Sequence, residues 1–188
     1  MKILVIQLAR LGDIFQTWPV LAGLRRTYPA AEIHLLTRSK FTPAAPGKPF
    51  VDKNWLLDTR DILLPVIDEK PGLDEALAKL EAFCGQVRAE SFDKIVNLSF
   101  SPFSSFLTRE VAGLESEVRG YTRFDDGYLN IPDDGSAYFY AQVGVGRPNR
   151  LHVTDLFAHV AGLDLVEADW STAPQQEPSG IEEDFVVI

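Results

Sequence analysis

The strongest constraint on this chain is its opening. Lys2-Ile3-Leu4-Val5-Ile6-Gln7-Leu8 is a nearly unbroken apolar run rich in branched side chains. A strand that is apolar at successive positions has no side for water, so it belongs in a parallel sheet covered by helices on both faces. A short loop follows, Ala9-Arg10-Leu11-Gly12-Asp13, and then Ile14, Trp18, Leu21, Leu24 and Tyr28 recur at helical spacing. Arg25 and Arg26 fall in the last turn, where cations suit the dipole, and Pro29 ends the segment. Pro19 inside it predicts a kink or an irregular early turn. Residues 32–37, Glu-Ile-His-Leu-Leu-Thr, read as a second strand. Strand, helix and strand in so short a span make one βαβ unit with a right-handed crossover.

The same alternation continues. Residues 41–53 carry Pro43, Pro46, Gly47 and Pro49 without a period and read as a long loop. Trp55–Asp58 and Ile62–Leu64 are short strand candidates. Leu73, Leu77, Leu80, Cys84 and Val87, with Ala76 and Phe83, form an amphipathic helix. Residues 92–98 form another strand, followed by a Ser/Phe-rich loop and a helix through Phe103, Phe106, Leu107, Val111 and Leu114. Glu117–Tyr121 is a short strand, 122–135 is turn-rich, and Leu151–Leu163 is helical. The pattern predicts a three-layer, doubly wound α/β domain over residues 1–166, with a mostly parallel sheet that includes strands at 2–7, 32–37 and 92–98. Residues 167–183, with Pro174, Pro178 and Gly180, read as a linker. Phe185-Val186-Val187-Ile188 reads as the first strand of a second domain, residues 184–188, cut short at the end of the chain.

Charge narrows the function classes. The 188 residues hold 18 Lys plus Arg against 27 Asp plus Glu, a net charge of -9. That balance opposes non-specific nucleic-acid binding, which needs cations to displace counterions. The single cysteine, Cys84, has no partner and lies on an apolar helical stripe, which suits an inert thiol in a reducing compartment. No run of residues is long and apolar enough to span a bilayer, and the opening lacks a cleavage-type ending. The expected location is cytoplasmic.

In an open parallel sheet, ligands bind beyond the carboxyl ends of the strands. The loop after the first strand has neither dinucleotide nor P-loop spacing. Its Asp13 reads as a first-turn or N-cap carboxylate, and also as a general base if one oxygen faces the cleft; the two roles are compatible. Arg10, Arg38, Lys40, Lys48 and Lys53 give the loops after the first two strands a basic trend that suits an anionic group or, equally, a solvated loop. Asn97, Ser99, Ser101, Ser104 and Ser105 offer hydrogen bonds to a polyhydroxy ligand, or ordinary helix capping. His152, Asp155 and His159 share a helix face, but their neighbours Phe157 and Val160 point to packing rather than a metal site. His34 reads as structural.

Residues 2–14, with Thr17, Pro19, Val20, Leu21, Arg25–Pro29 and Ala31–Leu36, resemble the amino-terminal end of the ADP-heptose:lipopolysaccharide heptosyltransferases, glycosyltransferase family 9. Phe92–Leu98 resembles a later strand of that family, with Asn97 where the family often has aspartate. Arg119-Gly120-Tyr121 and His152–Leu156 resemble further elements. The resemblance implies the amino-terminal, acceptor-side half of a GT-B enzyme built from two Rossmann-like domains. It implies Asp13 as the catalytic base and an acceptor bound by this domain, for which Arg10, Gly12, Arg38, Lys40, Asn97, Ser99 and Ser101 in the loops read above are the candidate binding residues. It implies inverting transfer of heptose from ADP-heptose to the inner core of lipopolysaccharide, with no obligatory metal or other cofactor. The donor belongs to the carboxy-terminal domain expected beyond Ile188, so this chain alone is expected to be inactive. The partners implied are a lipid A inner-core acceptor, that second domain and, peripherally, the inner membrane. A non-catalytic flavodoxin-like module, or a transferase for another sugar or surface glycan, remains open as an alternative.

Overall fold

The computed structural model describes residues 1–68 and 72–171. In chain order the elements are β1 (Lys2–Ile6), α1 (Leu11–Thr27), β2 (Glu32–Arg38), a 3-10 segment (Ser39–Ala44), β3 (Lys53–Leu57), α2 (Thr59–Ile67), α3 (Gly72–Arg88), β4 (Lys94–Asn97), α4 (Pro102–Val111), β5 (Glu117–Gly120), β6 (Thr122–Arg123), β7 (Leu129–Asn130), α5 (Asp134–Gln142), α6 (Val153–Ala161) and α7 (Glu167–Trp170). The main sheet runs β3-β2-β1-β4-β5, and all its pairings are parallel. β6 and β7 form a separate antiparallel pair.

The apolar opening sits in the middle of this sheet, which is why both its faces are dry. Ile3 and Val5 pack with Trp18, Leu21 and Leu24 of α1 and Phe157 and Val160 of α6. Leu4 and Ile6 point the other way, onto Cys84 and Val87 of α3 and Leu107 and Val111 of α4. Alternation along one strand thus builds two cores, and the architecture is the expected three-layer α/β/α sandwich. α1 runs through Pro19 as one helix. Gly120, paired with Asn97, permits a close approach of β5 to β4: its φ is +88°, and a Cβ there would lie 2.0 Å from the Asn97 carbonyl oxygen.

Three expectations need correction. Ile62–Leu64 is not a strand but the middle of α2. The Asp58 carboxylate caps that helix by accepting the Arg60 and Asp61 N–H groups at 3.1 and 3.0 Å. Pro65 lacks the N–H that would bond the Asp61 carbonyl, and Lys79 Nζ reaches that oxygen instead at 3.3 Å. Second, the turn-rich stretch ends in α5, whose N-cap Asp133 accepts the Ser136 N–H at 2.8 Å. Third, the segment expected as a linker from residue 167 starts with α7, docked on α1. The Asp169 carboxylate accepts two bonds from the Arg26 guanidinium, at 3.1 and 2.8 Å, and one from the Val166 N–H at 2.9 Å. The remainder of that segment from residue 172, and the strand expected at 184–188, lie outside the described residues.

Candidate functional site

The chain leaves β1 toward β2 and β3 on one side and returns to β4 on the other. At such a switch point the loops beyond neighbouring strands diverge, and a crevice opens at the carboxyl edge. Here the diverging loops are those from β1 to α1 and from β4 to α4. They carry most of the residues singled out from sequence.

Asp13 is half-buried at the third position of α1, and the N-cap is Arg10. Its carboxylate Oδ2 accepts the Arg10 N–H at 2.9 Å. The reverse bond of a capping box is impossible, because a guanidinium has no acceptor. Asp13 is therefore a first-turn acceptor, and only its Oδ2 is engaged among the described residues. The N–H groups of Leu11 and Gly12 precede any carbonyl they could reach within α1, so they face outward unpaired by the helix. A Cβ on Gly12 would meet nothing within 4 Å, so its side is open to an approaching molecule.

The cations of this edge are held differently. Arg38, at the end of β2, donates from Nη2 to the Ala9 carbonyl at 2.6 Å and lies over the Phe41 ring at 4.6 Å. Lys40 is exposed, with its amine 5.1 Å from the same ring. Arg10 is exposed. Three buried polar atoms have no hydrogen-bond partner among the described residues: Arg38 Nε, Thr37 Oγ1 and Gln16 Oε1. Thr37 and Arg38 end β2, and Gln16 is in α1.

Asn97 and Ser99 are not free to meet a ligand. Asn97 is fully buried; its amide donates to Ser104 Oγ at 3.2 Å and to the Tyr121 carbonyl at 2.8 Å, and its Oδ1 accepts the Ser99 N–H at 3.0 Å. The Ser99 hydroxyl accepts the Leu8 N–H at 2.6 Å, closing the crevice floor between the two loops. Ser101 caps α4, accepting the Ser104 N–H at 3.1 Å, and keeps partial exposure. Arg10, Gly12, Asp13 and Ser101 thus line the edge, while Asn97 and Ser99 build it.

Two further residues matter that sequence reasoning passed over. Gln7 is fully buried in the otherwise apolar opening. Its Nε2 lies 3.4 Å from Thr17 Oγ1 and from the Leu98 carbonyl, and its Oε1 accepts the Ala9 N–H at 3.2 Å. Thr17 in turn donates to the Asp13 carbonyl at 2.8 Å. A lone polar residue in a buried run was the available signal. Phe100 has a φ of +43°, a conformation costing about 1–3 kcal/mol for such a residue. Its ring stacks on Phe139 with centroids 3.5 Å apart and meets Tyr121 edge-on at 4.9 Å. That stack holds the loop between Ser99 and Ser101 in its strained shape. Burial pushes the Tyr121 phenol up to about 12, aided by Tyr140. Burial, with Glu110, also raises the Cys84 thiol to about 11, so it is protonated and unreactive.

No protein-family model and no curated protein sequence matches the chain. Solved structures do. The chain is similar to Escherichia coli heptosyltransferase WaaC with ADP-2-deoxy-2-fluoro heptose, at 16% identity and a TM-score of 0.60, over 89% of this chain and 50% of that one. It is similar to the family 9 glycosyl transferase of Veillonella parvula DSM 2008, at 20% identity and a TM-score of 0.59, over 88% of this chain and 42% of that one. The fold, a parallel five-stranded sheet between helices, is that of about half of each of these two structures. WaaC with ADP matches similarly, at 16% identity and a TM-score of 0.58, over 89% and 49%. The chain therefore spans about half the length of the solved structures it matches. Among the described residues, no helix is long and apolar enough to cross a membrane.

Proposed function

We propose that this chain is the amino-terminal, acceptor-binding half of an inverting glycosyltransferase of family 9, of the heptosyltransferase kind. The observation that carries the reading is the placement of Asp13: a half-buried carboxylate on the first turn of a long helix, at the carboxyl edge of the sheet where its topology switches. In the proposed reaction an acceptor hydroxyl oxygen attacks the anomeric carbon of ADP-heptose. The bond from that carbon to the phosphate oxygen breaks, ADP leaves with the electron pair, and the hydroxyl proton passes to Asp13. Displacement from the face opposite the leaving group inverts the anomeric centre. No metal is required by this scheme.

Arg10, Arg38 and Lys40 on the same edge support an acceptor with an anionic group close to its reactive hydroxyl, as in a Kdo-bearing inner core on lipid A. The orphaned Arg38 Nε and Thr37 Oγ1 support the same end of β2 as a place where a polar ligand is expected. ADP-heptose is assigned to a second, carboxy-terminal domain, the reaction to the cytoplasm, and the lipid-linked acceptor brings the enzyme to the inner membrane face.

Calorimetry of residues 1–188 tests this. A deacylated inner-core oligosaccharide is expected to bind, ADP-heptose to bind far more weakly, and no sugar to be transferred by the chain alone. Micromolar binding of ADP-heptose with none of the oligosaccharide would overturn the assignment.

A further inference from the structure

A second feature lies away from that edge, on the face of the sheet covered by α3 and α4. The two helices leave a groove of about 430 Å³ between them. Leu77, Leu80, Cys84, Phe103, Phe106 and Leu107 make it apolar. Leu77, Phe103 and Phe106 are 52%, 44% and 50% exposed, so this surface faces water in a chain of net charge -9. Large apolar side chains gathered in one concave surface mark a binding site rather than scatter.

The groove runs into a polar cavity of about 370 Å³. The two share Arg88, Phe106 and Glu110, and the second adds Arg109, Arg123 and Asp125. Three guanidiniums against two carboxylates leave this end positive. The Arg123 guanidinium lies 4.4 Å above the Phe106 ring, at the junction of the two cavities. It donates to neutral acceptors, Ser105 Oγ at 2.8 Å and the Gly127 carbonyl at 3.1 Å, and has no carboxylate partner among the described residues. Arg88 meets Glu110 only at 4.0 Å, and both side chains are more than half exposed. Arg109 pairs with the highly exposed Asp125. Glu81 borders the apolar groove, two helical turns before Arg88 and so about 10 Å from it along α3.

An apolar trough that opens onto a cluster of arginines complements one kind of molecule. We propose that the α3–α4 groove binds an anionic amphiphile, with a single alkyl chain along Leu77, Leu80, Phe103 and Phe106 and a phosphate or carboxylate head at Arg88, Arg109 and Arg123. The chain removes the three exposed apolar side chains from water, and the head takes charge-assisted bonds from guanidiniums whose present partners are exposed or neutral. The site is independent of the reading of Asp13.

Dodecyl phosphate below its micelle concentration is the probe, titrated calorimetrically into residues 1–188. Saturable binding of one molecule per chain is expected, with no binding of inorganic phosphate and at least about tenfold weaker binding of dodecyltrimethylammonium, which has the same tail and the opposite charge. Leu77→Glu and Arg88→Gln change exposed side chains, so each is expected to keep the far-ultraviolet circular dichroism and melting of the parent while weakening dodecyl phosphate at least about tenfold. Absence of saturable binding, equal affinity for the cationic amphiphile, or unchanged affinity in either variant would overturn the proposal.

Discussion

Replacing Asp13 in two ways separates its structural role from its proposed chemical one. The carboxylate accepts the Arg10 N–H at 2.9 Å and places a negative charge in the first turn of α1. Asp13→Ala removes the acceptor and the charge. Losing the acceptor costs about 1 kcal/mol, and losing the favourable charge near the helix start a further ~0.3–1 kcal/mol. For a domain of this size, each kcal/mol moves the melting temperature by roughly 2–4 °C, so Asp13→Ala is expected to melt roughly 3–8 °C early. Asp13→Asn keeps a carbonyl acceptor at the same place and loses only the charge, so its melting is expected to fall by no more than about 1–4 °C. The chemistry ranks the variants differently. Asparagine cannot take a proton, and loss of a general base costs about 10²–10⁴-fold in rate, roughly 3–5 kcal/mol of barrier. In a two-domain enzyme carrying this proposed acceptor half, Asp13→Asn is expected to lose at least about 100-fold in sugar transfer while keeping its fold and most of its acceptor binding. The assay is heptose transfer from ADP-heptose beside a thermal melt. Near-normal transfer by Asp13→Asn would refute the argument and leave Asp13 as a first-turn acceptor alone.

Other perturbations probe the frame around the site. Gln7→Leu removes the buried carboxamide that joins Ala9, Thr17 and Leu98, all through bonds of 3.2–3.4 Å; it is expected to destabilise by about 1–3 kcal/mol in urea titrations, and an unchanged midpoint would deny the network that role. Phe100→Ala loses the stack on Phe139 but keeps the strained backbone; being half-exposed, it is expected to cost about 2–3 kcal/mol, below the full core value, whereas a stabilised variant would show that the strain outweighs the stack. Bonds from Lys2 and then Lys53 hold the Glu90 carboxyl near 2, against its ordinary 4.5. Because the folded value is the lower one, its contribution is complete above about pH 4.5 and is lost as pH falls toward 2; Glu90→Gln is expected to flatten the acid arm of the stability profile, and an unaltered arm would contradict the pairing.

The centre of the fold was legible because burial dictates it. A strand in the middle of a covered sheet must be apolar on both faces, and β1 announces this in consecutive residues; α1 and α3 show their stripes because one side of each packs on the sheet. α2 misled because Ile62-Leu63-Leu64 is a short apolar run that strand and helix share, and Leu63 and Leu64 turn out to face water rather than a core. α5 was hidden behind Asp133-Asp134-Gly135, where the same residues that make turns also cap a helix. The placement of the candidate site was legible at the β1–α1 loop, where topology alone puts Arg10, Gly12 and Asp13 at the carboxyl edge. It was not legible at Asn97 and Ser99. Their side chains are taken by the Tyr121 carbonyl and the Leu8 N–H, partners 24 and 91 residues away that only the packed chain brings near. The same holds for Arg38, whose bond to Ala9 spans 29 residues.

The central claim is that an anionic sugar acceptor lies on the edge formed by Arg10, Gly12, Asp13 and Ser101. Amide chemical shifts of the isotopically labelled chain, followed while a deacylated Kdo-bearing inner-core oligosaccharide is added, test it most directly. The predicted result is a saturable set of shifts centred on Arg10–Asp13 and Ser99–Ser101, with the amides of α3 and α5 unmoved and ADP-heptose producing no comparable set. Saturation with shifts elsewhere, or none at the β1–α1 loop, would contradict the account.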